Sequence, residues 1–226
     1  MNTTASPTGG QSAATPRRTP WVWIALALGL GLALALDGPV MAAVRPLHST
    51  HFADFIRHTV RWLGIGYVQA AALLAVVVVG AVLRSRAAGV AGWALLALAL
   101  SGIGANVLKV LVHRPRPWVT AAPPHAWLGY LRLHELQSFP SGEATTSFAI
   151  ALVLAGGFPW LRLPLFTVAA IVAAARVMVG DHVPSDVWAG AMVGIAVGQW
   201  VLSRARARAR RGGPGDGAPT GPDAGA

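Results

Sequence analysis

The chain contains no cysteine, which excludes disulfides, thiolate nucleophiles and zinc–thiolate sites, and with them the thiol redox functions. Charge is scarce, at 12% of residues, and acid is scarcest: 8 Asp and Glu stand against 18 Lys and Arg, for a formal net charge of +10. No tandem repeat of solenoid or propeller period runs through the 226 residues, and the apolar stretches lack the strict alternation that builds a membrane barrel. What the chain has in quantity is apolar surface. Hydrophobic residues make up 54%, and the mean hydropathy is +0.56.

The apolar runs are continuous, rich in Ala, Leu and Val, and close to membrane-spanning length, so lipid is the solvent for most of the chain. Helices satisfy their own backbone groups in that solvent, and continuous runs favour them over strands. Six spans are predicted, over about 20–36, 64–83, 88–108, 142–158, 162–179 and 185–203. The expected fold is therefore all-α, a six-span transmembrane helix bundle. The first span is the shortest, covering only about 25 Å.

Residues 1–16 are Thr, Ser, Gly, Pro and Ala without hydrophobic period, and read as a disordered tail. Residues 204–226 read as a basic stretch followed by a Gly/Pro-rich tail. Since no long linker divides the spans, 17–203 is expected to be one membrane domain. Arg17-Arg18 ahead of an apolar run imitates a signal peptide. The run is long for a signal core and the sequence after Leu36 is a poor cleavage site, so it reads as a retained span.

With a cytoplasmic N-terminus, the inner side collects Arg17, Arg18, Arg84, Arg86, Arg162, Arg204, Arg206, Arg208, Arg210 and Arg211, ten charges. The outer side collects eight, three of which (Lys109, Arg116, Arg176) belong to the anion site described below, leaving ten against five. That asymmetry places both termini in the cytoplasm. The arginine run after the last span reads as a topology anchor touching anionic lipid. No basic groove interleaved with aromatics accompanies it, so nucleic acid is not an expected partner. The seven histidines, His48, His51, His58, His113, His125, His134 and His182, all fall on the outer side.

Three separated segments there carry chemistry. Lys109 ends the third span with Asn106 one turn earlier, and Arg116 follows between Pro115 and Pro117, which take the chain out of the membrane in a stiff extended turn. A lone Lys or Arg here would be an interfacial snorkelling residue. Pro140-Ser141-Gly142 opens the fourth span, where free N–H groups, a hydroxyl and the positive end of a helix dipole meet. Alone, it reads as an N-cap with Ser141 as the capping residue. Arg176 ends the fifth span, Gly180-Asp181-His182 turns, and Pro184 opens the sixth with Asp186 just inside. His182 and Asp186 are four apart, which lets a carboxylate hold one imidazole nitrogen while the other faces a substrate. Ionisable groups crowded between two apolar spans are functional by default.

Lys109-x6-Arg116-Pro117, Pro140-Ser141-Gly142 and Arg176-x5-His182-x3-Asp186 resemble, in order, the three signature motifs of the type-2 phosphatidic acid phosphatase superfamily. The resemblance covers roughly residues 60–203. It implies a membrane phosphatase that needs no metal or other cofactor, in which His182 attacks phosphorus and Asp186 orients it. Lys109, Arg116 and Arg176 would neutralise the phosphoryl oxygens, with hydrogen bonds from Ser141 and the Gly142 N–H.

Two positions depart from the family's pattern: Ala175 stands where Ser usually precedes the arginine, and Glu143 where the second motif usually ends in His. The second falls on the residue that protonates the leaving oxygen, and a glutamic acid serves there if it carries its proton when substrate is bound. A diphosphate leaving group needs that proton less than an alkoxide does.

An outward-facing site at the bilayer surface implies a lipid-borne phosphate monoester or diphosphate: polyprenyl diphosphate, phosphatidic acid, phosphatidylglycerol phosphate or lipid A phosphate. The Ala-, Arg- and Gly-rich composition points to a bacterial source, and the arginine asymmetry to an inner membrane protein with its site toward the periplasm or cell exterior. Trp118, Trp127 and Tyr130 read as interfacial anchors bordering it. Lipid-to-lipid phosphotransfer, a catalytically impaired lipid-phosphate binder, and a transporter or metal site on His48, His51 and His58 are the alternatives. The loose histidine spacing, and ionisable groups at span ends rather than mid-bilayer, weigh against the last.

Overall fold

The computed structural model describes residues 20–119 and 134–211. The tail expected at 1–16, residues 212–226, and His125, Trp127 and Tyr130 lie outside them. Every regular element among the described residues is helical, and none is a strand. Six long helices carry the fold: α1 (Pro20–Val44), α2 (Gly66–Val82), α3 (Arg86–Val112), α4 (Gly142–Gly157), α5 (Arg162–Met178) and α6 (Pro184–Arg211).

Each long helix matches an expected span, with two boundary corrections. The first is not short: α1 continues through Asp37, Gly38 and Pro39 to Val44. Asp37 can sit in a helix of this kind because Arg114 lies 2.8 Å from its carboxylate and Ser185 donates both its N–H (2.8 Å) and its hydroxyl (2.6 Å) to it. At the other end, residues 204–211 are helix rather than tail. Arg and Ala are strong helix formers, and Arg204 lies 5.1 Å over the Trp200 ring.

Between α1 and α2, the segment expected as a loop is a chain of short helical turns. Thr50 caps His51–Phe55 by accepting from the Ala53 N–H, a π-turn covers Ile56–Val60, and Arg61–Gly64 follows. Ile56 packs on Ala175 and Val179, fastening the segment to the end of α5. Extended Ile65 then breaks the path, and the chain bends 48° into α2.

Four helices among the described residues are long and apolar enough to cross a membrane, and five if the bent pair His51–Gly64 and Gly66–Val82 is one span. Large apolar side chains such as Leu28, Val82, Leu111 and Leu163 face outward, which is the surface lipid requires. With this exterior and several helices of spanning length and apolar composition, the protein is a multi-pass membrane protein.

Helix α4 is the short one, at 16 residues, and it occupies the middle of the bundle. α3, α5 and α6 all pack on it, burying Ala144, Thr145, Thr146, Ser147, Ala149 and Ala151. Two of its polar side chains are satisfied internally: Thr145 donates to the Ser141 carbonyl (2.8 Å), and Gln69 donates to Ser147 (2.8 Å).

Small residues set how closely the helices approach. Gly190, Gly194 and Gly198 form a stripe at four-residue spacing on α6, against α4. A Cβ at Gly190 would lie 2.6 Å from the Ser141 carbonyl oxygen, one at Gly194 would strike the Thr145 carbonyl, and one at Gly198 would lie 3.1 Å from the Ala149 carbonyl. Without a hydrophobic drive between helices in lipid, such backbone proximity supplies the packing energy. The α3 face uses Ala91, Ala94 and Ala97 in the same way around Leu73, Val153 and Val201.

Gly194→Leu should therefore lower the thermal unfolding midpoint in detergent, with a cost of at least about 1–3 kcal/mol from overpacking. Gly31→Leu, at a position with nothing within 4 Å, should leave the midpoint within a degree or two, as a surface change of about 0.5 kcal/mol does.

Candidate active site

Backbone bonds bring the three segments to one end of the bundle. α3 ends at His113 in the left-handed conformation (φ 52°), and the prolines after it keep the chain extended. There Ser138 N–H donates to the Arg114 carbonyl (2.9 Å) and Arg116 N–H to the Glu135 carbonyl (2.8 Å). The turn after α5 folds back on its own helix end: the Asp181 and His182 N–H groups both donate to the Arg176 carbonyl, at 3.1 and 3.2 Å. Gly180 makes this possible by adopting φ +79°, a region closed to most side chains. The starts of α4 and α6 are joined by Ser141 N–H donating to the Asp186 carbonyl (3.0 Å).

These bonds enclose a cavity of about 380 Å³. Six of the eight site residues expected from sequence line it: Lys109, Arg116, Gly142, Glu143, Arg176 and His182. The other two stand behind it. Ser141 and Asp186 are both fully buried, Ser141 beside Gly142 and Asp186 behind the imidazole. Gly142 admits the lysine, since a Cβ there would lie 3.4 Å from Lys109 Nζ. The cavity thus has an ammonium against the N-terminal end of α4 and three guanidiniums, those of Arg61, Arg116 and Arg176, on other walls, an arrangement complementary to an anion.

His182 is 3% exposed. Its Nδ1 faces Asp186 Oδ2 at 3.4 Å and Ser138 Oγ at 3.4 Å, which leaves Nε2 for the cavity. Asp186 is held on all sides. Its Oδ2 accepts a short bond from the Ser138 hydroxyl and one from the Val183 N–H (3.2 Å), and its Oδ1 accepts from Arg114 Nη1 (2.9 Å). Burial depresses the pKa of His182 first, Asp186 raises it, and Arg116 and Arg176 depress it again; the net direction is down. The imidazole is consequently neutral at neutral pH, with a lone pair to offer.

Arg116 is buried and aimed by its neighbours: Nε donates to the His134 carbonyl (3.0 Å), Nη1 to the Asp181 carbonyl (3.2 Å), and Nη2 meets His134 Nε2 at 3.1 Å. Arg176 has two acidic partners. Asp181 accepts from Nη2, and Glu143 Oε2 lies 3.2 Å from Nε, close enough for an ion pair but without hydrogen-bond alignment. Gly64 makes room for this carboxylate, as a Cβ there would come 2.7 Å from Glu143 Oε2.

The expectation that the Ser141 side chain caps α4 needs correction. Ser141 occupies the N-cap position with no side-chain cap bond, and its buried Oγ has no hydrogen-bond partner. The Thr145 N–H donates instead to the Ser141 carbonyl.

Sequence reasoning missed Arg114, Ser138, Ser185 and Asp37 behind Asp186, and Arg61, His134 and Asp181 on the cavity wall. Arg114 and Arg116 both precede proline, and only the fold separates them: Arg116 lines the cavity, whereas Arg114 bridges Asp186 and Asp37. Asp37 did carry a signal, a carboxylate at the edge of an apolar run. Among the described residues no three His, Asp or Glu side chains group as metal ligands, so His48, His51 and His58 do not form that alternative site.

The family model described as the PAP2 superfamily matches residues 90–210. The lipid A 1-phosphatase of Rhizobium johnstonii is 36% identical over 107 residues, covering 44% of this chain and 40% of that protein. The lipid A 1-phosphatase of Porphyromonas gingivalis is 35% identical over 108 residues, covering 46% of this chain and 21% of that one. The match therefore spans about two fifths or less of the length of these curated relatives. Among solved structures, Aquifex aeolicus LpxE aligns with a TM-score of 0.55 and 26% identity, covering 78% of this chain and 95% of that one. The first transmembrane PAP2 type phosphatidylglycerolphosphate phosphatase from Bacillus subtilis gives 0.57 over 81% and 96%; at 20% identity, that likeness speaks to the fold alone.

The depressed pKa of His182 is testable by ¹⁵N-histidine NMR, with His182→Ala to assign the resonance. His182 should stay neutral through pH 6.5, the ordinary histidine value, and protonate only below it. A midpoint at or above that value would contradict the burial account.

Proposed function

This chain belongs to the PAP2 superfamily, and from that premise we propose that it is an integral membrane phosphatase acting on a lipid-borne phosphate monoester or diphosphate through a phosphohistidine. The observation that carries the proposal is the convergence of Lys109, Arg116, Glu143, Arg176 and His182 on one cavity, with Asp186 behind the imidazole.

The substrate phosphoryl group occupies the cavity with its oxygens toward Lys109, Arg116 and Arg176, and takes a hydrogen bond from the Gly142 N–H, with Ser141 buried behind that wall. His182 Nε2 attacks phosphorus in line; the N–P bond forms as the P–O bond to the leaving group breaks, and that electron pair passes to the leaving oxygen. Asp186 holds Nδ1–H and balances the imidazolium charge. Glu143 delivers the proton to the leaving oxygen, its pairing with Arg176 replaced by the incoming phosphate. Water then attacks the phosphohistidine, breaking the N–P bond, releasing inorganic phosphate and returning its proton to Glu143. Three fixed cations do the charge stabilisation that a divalent metal performs elsewhere, so the reaction proceeds without one.

We further propose that α4 crosses the bilayer as the sixth span, its 16 residues covering about 24 Å inside a jacket of longer helices. The membrane domain is 17–203, with its helical extension to Arg211. The arginine count places both termini in the cytoplasm, and so the cavity faces the periplasm or cell exterior across an inner membrane. The likeness to lipid A 1-phosphatases supports a phosphate carried on a lipid anchor.

Phosphate release from a panel of lipid phosphates by purified protein tests this. His182→Ala should lower turnover about a thousandfold or more. Glu143→Ala should cost about 10²–10⁴-fold on an alkyl phosphate and less on a diphosphate, and chelators should leave the rate unchanged. Because only neutral His182 attacks, kcat/KM should fall on acidification only below pH 6.5, the ordinary histidine value from which this residue is depressed. Turnover that survives His182→Ala, or that a divalent ion restores after chelation, would overturn the mechanism.

A further inference from the structure

A second cavity, of about 680 Å³, shares a wall with the first. Trp118 lines both, and the wall continues through Gly180, two residues before His182. On its far side stand Arg45, His48 and Arg57, from the segment that links α1 to α2. None of the functions assigned above uses these three residues.

The described lining of this cavity contains two arginines and no acid. Arg57 is partly neutralised: Nη1 pairs with Asp54 at 2.7 Å, and Nη2 donates to the His48 carbonyl at 2.7 Å. Arg45 is exposed and has no hydrogen bond or ion pair among the described residues. His48 is pressed against the turn, where a Cβ on Gly180 would come 2.7 Å from its Cε1, and its buried Nε2 has no hydrogen-bond partner. A buried polar atom without a partner is costly. Arg45 and the His48 Nε2 are the two groups on this wall without a protein partner, and one oxyanion would serve both.

We infer that the Arg45–His48–Arg57 cavity binds a second anionic group, a phosphate or carboxylate, on the same lipid headgroup whose phosphate is cleaved at His182. The inference rests on the phosphatase reading and adds a specificity to it: headgroups bearing two anions are selected over headgroups bearing one. The shared wall favours the substrate's own headgroup as the source, since a group seated at Arg45 is then tethered to one seated at Lys109. A neighbouring anionic lipid of the bilayer presents the same chemistry, and the experiment separates the two.

The full chain and its Arg45→Gln variant are assayed in neutral detergent micelles on two lipids with the same tails. One carries a single phosphate, and the other carries a second phosphate on the headgroup. The ratio of kcat/KM for the doubly charged over the singly charged lipid should fall about tenfold in Arg45→Gln, through KM rather than kcat. An unchanged ratio overturns the inference, as does an Arg45→Gln effect that emerges only on adding anionic lipid and is equal for both substrates. Should the wild-type protein turn over neither lipid, the phosphatase reading fails, and the cavity is read from binding instead. Calorimetric titration should then show Arg45→Gln weakening the doubly charged lipid alone, and equal weakening or none overturns the inference.

Discussion

The Asp186 carboxylate is fully buried, and a charge so placed costs several kcal/mol unless fixed partners surround it. Its partners come from everywhere in the chain. Ser138 precedes α4, Arg114 follows α3, Val183 belongs to the turn before α6, and Arg114 continues to Asp37 on α1. Ser185 closes the ring by bonding Arg114 and Asp37 together. Removing any one partner leaves a buried charge short of a bond, so the network holds four separate stretches of chain in a single register. The imidazole of His182 is positioned by Asp186, the carboxylate at the centre of that ring.

The rest of the bundle serves the same end by allowing close approach. Glycines on α6 and alanines on α3 bring backbones together around α4, whose N-terminal end forms the floor of the cavity. Because α4 is wrapped by its neighbours, it can carry Ser and Thr in a membrane and begin with a buried, unpartnered Ser141 hydroxyl. A helix facing lipid could do neither without a heavy desolvation cost. The cations are likewise aimed before any ligand arrives: Arg116 is gripped by His134 and Asp181, and Arg176 by Asp181 and Glu143. Preorganised charge of this kind does not have to reorganise during reaction.

Much of this was legible in the sequence, because lipid makes the code simple. Continuous apolar runs give helices, and ionisable groups among them mark a site, so Lys109, Arg116, Glu143, Arg176 and His182 were found and do share a cavity. What the sequence hid is whatever depends on a partner far along the chain. Asp37 read as the end of a span because its neutralising Arg114 lies 77 positions on. Arg114 and Arg116 have the same local pattern and opposite destinations. Ser141 looked like a cap by position, and only the tertiary arrangement leaves its hydroxyl uncommitted. Segment 45–64 lacks a long hydrophobic period, so its short turns and their docking on α5 had no local signature.

The central claim is that a histidine, rather than water, first attacks phosphorus. The stereochemical course at phosphorus tests it most directly, using a lipid thiophosphate whose two non-bridging oxygens are different isotopes, hydrolysed in water of the third isotope, and analysing the released chiral thiophosphate. Two successive in-line displacements, one by His182 and one by water, give overall retention of configuration, the result this account requires. Inversion would mean a single displacement by water and would contradict it.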